Sequence, residues 1–353
     1  MQLTNLYLKN FRNYIGTDFI FSNINIISGR NATGKTNILE AIYFLCTTSS
    51  FKKGKDTDSI RFGSEYASIK GITNENTQLE VILNNGRKIT KINNIGRQKK
   101  KFRENLACVL FKPDDLNLLD GSPSLRRDFL DSSIAEAYTN YAEITKHYNL
   151  VVRNRNRVLE RVREGVETTE SLNYWDSVLI SLALQIESKR SEYVSFLKEN
   201  LHLHMNTFSS FHSNSEKSKI EINYVTKLLS SESVKTIRNA EIASGKTLRG
   251  PHKADFTVLV NGKDLSLFGS RGQQRVAVLA LKKSELQFVE IIKKTAPILL
   301  LDDIFSELDE TAQGGVADIV KNYQSFITTV GKQDKSMFRG LQAEFFELPL
   351  RTS

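Results

Sequence analysis

The stretch Ile24–Leu45, INIISGRNATGKTNILEAIYFL, constrains this chain more than any other. An apolar strand pattern runs into a turn bounded by Gly29 and Gly34, and an amphipathic helical pattern leaves it. Gly29, Gly34, Lys35 and Thr36 have the G-x-x-x-x-G-K-[ST] spacing of a phosphate-binding loop. Glycines let successive backbone N–H groups curl inward toward phosphate oxygens, and the following helix adds the positive end of its dipole. Lys35 is placed to reach the terminal phosphates. The Thr36 hydroxyl suits Mg²⁺, which takes oxygen ligands and phosphates. The candidate nucleotide loop is therefore Gly29, Arg30, Asn31, Ala32, Thr33, Gly34, Lys35, Thr36 and Asn37.

The 353 residues suggest about two domains, and 40% hydrophobic with 25% charged residues is an ordinary globular balance. A net charge of +9 favours a polyanionic partner without naming one. No apolar run approaches the roughly 18 residues of a membrane span, and the polar N-terminal stretch lacks a secretory-type apolar core. Cys46 and Cys108 share no metal-ligand spacing and read as buried apolar residues in a reducing compartment. The expectation is a cytoplasmic, soluble protein with no membrane partner.

Residues 1–112 read mostly as strands around the loop helix, with hairpins at Met1–Leu8 with Thr17–Phe21 and at Thr77–Lys91 around Asn84-Asn85-Gly86. Residues 113–210 read as helical. Two long stretches there, 144–165 and 172–204, space apolar residues three and four apart and are expected to pair as an antiparallel arm with Trp175 on its apolar face. Strands return near Ser218–Val225 and Ala254–Val260, with Asn261-Gly262 as a hairpin turn and 209–218 as the candidate linker. Residues 211–353 then complete the domain begun at the N-terminus. Basic positions at Lys52, Lys53 and Lys55, in 97–103, and at Arg153, Arg155, Arg157, Arg161 and Arg163 are either solvated faces or phosphate contacts.

The second half of the site lies near the end of the chain. The apolar run Ile298–Leu301 delivers Asp302 and Asp303, where a P-loop sheet needs carboxylates for the metal and for the attacking water. Some thirty residues earlier, FGSRGQQR opens a helix with Ser270, Gly272 and Gln273, a second anion site. One P-loop already surrounds one set of phosphates. Two such sites in one chain suggest that two copies sandwich the nucleotide.

These features together, with the P-loop far upstream across a helical insertion, resemble an ABC-type ATPase head of the SMC kind. The stretches YLKNFRNY, FKPDDLNLLDGSPSLRRDFLD, VVRNRNRVL, TLRGPHKADF and FGSRGQQR resemble, in order, the RecF family of bacterial recombination proteins. The resemblance implies an α/β fold: an ABC/SMC-type P-loop ATPase head with an inserted helical arm. It implies ATP and Mg²⁺ at Lys35, Thr36 and Asp302, with Asp303 where related heads carry a base and Arg12 approaching phosphate. Ser270, Gly272 and Gln273 would face the γ-phosphate held by the second subunit of an ATP-dependent homodimer, and Thr329 takes the switch-histidine position of transporter heads. Implied partners are single-stranded or gapped DNA, RecO and RecR, and indirectly RecA, with slow DNA-stimulated hydrolysis. Lys52, Lys53, Arg126 and Arg127 are candidate DNA contacts.

Three stretches depart from the family pattern: Ala32 replaces a usual glycine, Lys253-Ala254 replaces Arg-Asp, and SSFKKGKD only loosely matches. Two other classes stay open on sequence alone, a permease-coupled transport ATPase and a scaffold with a vestigial site.

Overall fold

The computed structural model describes residues 1–84, 86–207, 219–330 and 342–349, so the candidate linker 209–218 lies outside the described residues. The chain divides into two units: 1–117 with 204–211 and 275–353, and 118–203 with 212–274. The second unit thus begins a few residues later than the expected boundary at 113. It also takes in residues 212–274, against the expectation that 211–353 belong to the head.

In the first unit, alternating burial shapes β1 (Leu3–Phe11) and β2 (Tyr14–Ile20), while β3 (Ile24–Gly29) is buried along its apolar run. The strands β4 (Tyr66–Thr73), β5 (Gln78–Asn84), β6 (Arg87–Ile92) and the short β7 (Ile95–Gly96) extend the first pair into an antiparallel sheet, order β2-β1-β4-β5-β6-β7. Both expected hairpins are present in it, with Asn85 outside the described residues. A second, parallel sheet joins β3 to β8 (Cys108–Phe111), β12 (Ile298–Asp302), β13 (Ser325–Thr329) and β14 (Ala343–Leu348). Its order is β14-β3-β13-β12-β8. The inner strands β3, β12 and β13 are buried on both faces, so β3 and β12 read as continuous apolar runs and not as alternation, while the edge strand β14 keeps exposed positions.

Helix α1 (Lys35–Thr47) packs on β4 and β5 of one sheet and on β3, β8, β12 and β13 of the other. Between two sheets a helix must be apolar nearly all round, and Ile38, Leu39, Ala41, Ile42, Phe44, Leu45 and Cys46 are fully buried. Cys108 is buried in the same core, as is Phe102 of the one-turn helix α2 (Lys99–Phe102).

The second unit holds helices α3 (Pro123–Ala137), α4 (Tyr141–Arg163) and most of α5 (Leu172–Thr207). A three-stranded antiparallel sheet, order β11-β10-β9, is built from β9 (Ile220–Val225), β10 (Asp255–Val260) and β11 (Lys263–Asp264). Helix α6 (Ser231–Ser244) and the single turn α7 (Leu265–Phe268) complete it. The long helices run antiparallel: Arg155 of α4 bonds Asp176 of α5, while Tyr141 and Arg190 share the Asp131 carboxylate. Trp175 is half-buried and packs edge-on against Tyr174. Helix α8 (Arg271–Lys293) starts in this unit, and α9 (Glu310–Val320) belongs to the first. Among the described residues no helix is long and apolar enough to cross a membrane.

Candidate nucleotide site

Parallel strands put their carboxyl ends on one edge, and there the first unit gathers β3, β13 and β12. Ser28 stands in register with Thr329, and Thr328 with Asp302. The loop leaving β3 is tightly determined. A Cβ on Gly29 would lie 2.7 Å from the Leu348 carbonyl of β14, and one on Gly34 would lie 2.5 Å from Asn13 Nδ2 at φ 104°. Within the loop the Thr33 hydroxyl and N–H both donate to the Arg30 carbonyl, closing a turn whose third residue, Ala32, sits at φ 66°. That is the left-handed region, where a side chain is strained. Arg30, Asn31 and Ala32 are exposed on the loop, while Lys35 is buried and donates to the carbonyls of Gly29 (2.8 Å) and Arg30 (3.1 Å).

The loop and the acidic strand end meet. The Thr36 hydroxyl donates to Asp302 Oδ1 at 2.9 Å, and the Thr328 hydroxyl donates to the same oxygen at 2.8 Å. This is an all-oxygen set suited to a hard cation that keeps phosphate and water in its shell. No cluster of three or more His, Cys, Asp or Glu side chains competes for a softer metal among the described residues. Asp303 adopts φ 53°, its N–H held by the Thr328 hydroxyl and its carbonyl by Ser306. A non-glycine residue kept in that conformation marks strain of the kind found at working sites. Thr329 is buried at the end of β13.

Beside the loop lies a network that the sequence analysis missed. Glu40, fully buried on α1, receives two bonds from the Arg12 guanidinium, at 2.6 and 3.0 Å. It also accepts from the Ser50 hydroxyl and pairs with Lys52 at 3.0 Å. Burial pushes this carboxyl up, but Arg12, Ser50 and Lys52 outweigh it and hold it below the usual carboxylate range. From Lys52 the chain of bonds runs through Asn37 and Asn13 to the Thr33 carbonyl of the loop. Arg12 further donates to the Asp58 carbonyl. A signal was present: Glu40 is the sole charged residue between Ile38 and Cys46, so a buried helix obliges it to find a cation.

In the second unit, Ser270 and Gln273 form a reciprocal cap on α8. The Gln273 N–H donates to the Ser270 hydroxyl, and the Ser270 N–H to the Gln273 side chain. Ser270 is exposed and its own hydroxyl proton stays available; Gly272 is half-exposed.

A profile of the RecF/RecN/SMC N-terminal domain family matches residues 2–342. The chain is 37% identical over 345 residues to the DNA replication and repair protein RecF of Geobacillus sp. (strain WCH70), covering 93% of this chain and 92% of that protein. The chain belongs to the RecF family. RecF of Acetivibrio thermocellus is similar at 32% identity, covering 94% of both chains. A solved structure described as the recombination mediator protein RecF with ATP in the RecFOR pathway superposes with a TM-score of 0.81 at 30% identity, over 94% of this chain and 93% of that one. An SMC head bound to a winged-helix domain of ScpA shares the fold at 16% identity and a TM-score of 0.55, over 96% of this chain and 92% of that one. The fold is thus the ABC/SMC-type ATPase head, in a family of DNA replication and repair proteins.

Set against the RecF family motifs, the basic candidates separate. Lys53 is exposed, but Lys52 is occupied by Glu40 and Asn37. Arg126 is engaged elsewhere: at 8% exposure its guanidinium is bidentate to Asp255 (2.7 and 2.9 Å) and donates to the Leu119 and Gly121 carbonyls, so in this structure it holds α3 to β10. Arg127 is half-buried and bonds the Ala254 carbonyl. Arg155 is fully buried between Asp176, Glu241 and Thr247, while Arg153 and Arg157 remain exposed. The first unit therefore brings together Lys35, Thr36 and Asp302, a set that could hold phosphate and one hard cation.

Proposed function

We propose that this chain binds ATP with Mg²⁺ on Gly29 to Asn37, dimerises when it does so, and in that state binds single-stranded or gapped DNA. The observation that carries this reading is the meeting of Thr36 and Asp302 at 2.9 Å beside a buried Lys35. Lys35 and the loop N–H groups bind the phosphates, Thr36 and Asp302 hold Mg²⁺, and Arg12, fixed by Glu40, turns its remaining N–H groups to phosphate. Bound there, Mg²⁺ neutralises phosphate charge. Asp303 orients the attacking water and accepts its proton at the carboxylate.

Ser270, Gly272 and Gln273 of a second copy complete the γ-phosphate shell, so ATP makes contacts in the dimer that a monomer lacks, and such differential affinity shifts association. Hydrolysis removes the bridging contact and the dimer opens. The activity is then a slow, DNA-stimulated ATPase that serves release. In the cytoplasm the cycle would support RecA loading at gaps during recombinational repair and replication restart, with mediators of the RecO and RecR type. The similar RecF structures, described as a recombination mediator of the RecFOR pathway, support this role.

Sedimentation with ATP-Mg²⁺ and a gapped duplex tests it. Wild type should form dimers that capture DNA, Ser270→Arg should bind ATP and stay monomeric, and Lys35→Ala should lose ATP and dimer together. A Lys35→Ala protein that dimerises and binds DNA as wild type does would refute the switch.

A further inference from the structure

TLRGPHKADF, residues 247–256, matched the family pattern without entering the nucleotide site, and the second unit shows what surrounds it. Its backbone is clamped from several helices. Asn156 of α4 accepts from both the N–H and the hydroxyl of Thr247, at 2.8 and 2.7 Å, and Glu241 of α6 accepts from the Leu248 N–H at 2.8 Å. Arg190 of α5 donates to the Pro251 carbonyl at 2.7 Å, and Arg127 of α3 to the Ala254 carbonyl at 3.1 Å. Gly250, at φ 124°, lets the chain pass where a Cβ would lie 2.4 Å from the Tyr148 hydroxyl. The clamping carboxylates are themselves neutralised, Glu241 by the buried Arg155 and Asp255 by Arg126.

Thr247, Gly250, Pro251 and Ala254 are thus buried, and what the loop shows to solvent is Lys246, Leu248 and Lys253, with Arg249 half-exposed. From Ile242 to Ala254 there are three lysine or arginine residues and no carboxylate. Lys246, Arg249 and Lys253 form no ion pair among the described residues, although Asp128 lies next to Arg127 in sequence on the neighbouring helix. Holding the backbone rigid while leaving its cations outward lowers the ordering cost of meeting a charged partner. Three unpaired cations on a fixed loop match the repeating charge of a nucleic-acid backbone, which is recognised through phosphates without reading bases.

We propose that the loop Lys246–Lys253 is a phosphate-backbone contact for DNA, made by Lys246, Arg249 and Lys253. The proposal rests on the DNA-binding role given above and assigns part of it to these residues. Each phosphate contact contributes about 0.9 to the slope of log affinity against log salt, so losing three lowers the slope by about 2.7 and the affinity by roughly a hundredfold near 150 mM salt.

The test is fluorescence anisotropy of the full chain with ATP-Mg²⁺ and a labelled gapped duplex, titrated from 50 to 200 mM NaCl. The variant Lys246→Ala/Arg249→Ala/Lys253→Ala should lose that slope and affinity while keeping its melting temperature and ATP binding. If it melts early, Lys246→Gln/Lys253→Gln replaces it, with an expected slope loss of about 1.8. Wild-type affinity and slope in the variant would overturn the proposal and leave the DNA-binding role intact, including the case in which the loop serves an acidic protein instead. A wild-type chain that binds no DNA at any salt would remove the broader role, and this proposal with it.

Discussion

Replacing Ala32 with glycine should stabilise this protein, the reverse of the usual result for such a change. Glycine in ordinary backbone costs roughly 0.5–1 kcal/mol relative to alanine. Ala32, however, stands at φ 66°, where an L-residue forfeits roughly 1–2 kcal/mol. Against that relief stands the larger freedom of the unfolded glycine chain, about 0.4–1 kcal/mol. The net gain is thus about 0–1.6 kcal/mol, at about 2–4 °C of melting temperature per kcal/mol for a domain of 150–250 residues. Gly34→Ala is the matched opposite: its φ of 104° and the approach to Asn13 make it destabilising, and displacing Asn13 also disturbs the Thr33 carbonyl and Asn37. Calorimetry of both variants decides the matter. A melting temperature lowered by Ala32→Gly would show that the loop carries no strain at that position and refute the reasoning.

Glu40→Ala leaves Arg12 and Lys52 without their shared anion. The cost should fall at or below the roughly 3–5 kcal/mol of a broken buried pair, since Arg12 and Lys52 keep 22% and 32% of their side chains exposed and can rehydrate; urea denaturation measures it, and a loss under about 0.5 kcal/mol, the scale of a surface change, would contradict the network. His252 gives a pH signature. Its Nε2 faces the Thr247 carbonyl and so carries the proton, while Nδ1 accepts from the Tyr148 hydroxyl. Burial first, then the cations Lys253, Arg127 and Arg190, push this imidazole below its ordinary value. The unfolded chain therefore binds the proton first, and stability present above the ordinary imidazole value of about 6.5 is lost as pH falls below it. His252→Gln should flatten the stability profile between pH 7 and 5; an unchanged slope would show that His252 does not titrate there.

Local pattern carried far in this chain, and long-range polar pairing did not. The strand, loop and helix from Ile24 to Leu45, the hairpins, and the apolar strand ahead of Asp302 all follow from periodicity and turn residues, because each is decided by neighbours in sequence. The union of Thr36 with Asp302 spans 266 residues and that of Arg12 with Glu40 spans 28, and no period connects such pairs. Arginines mislead most, since a buried guanidinium and a solvated one look alike in a run of basic residues. Yet Arg155 had a tell: with Tyr148, Val151 and Leu159, all buried, it falls on the inner stripe of α4, whereas Arg153 and Arg157 fall off it. Arg126 likewise shares its inner face with Phe129, Leu130 and Ser133.

The parallel sheet has a consequence for the time at which the site comes into being. β3 leaves the ribosome early, but both strands that flank it, β13 and β14, and the Asp302 that faces Thr36, are made much later. At about 5–20 residues per second, the 266 residues between Thr36 and Asp302 take roughly 13–53 seconds to appear. Throughout that interval the nascent chain carries a phosphate loop without the strands that brace it or the carboxylate that completes it. Nucleotide can therefore reward only a chain synthesised past β12, and a product cut short in the second unit holds half a site.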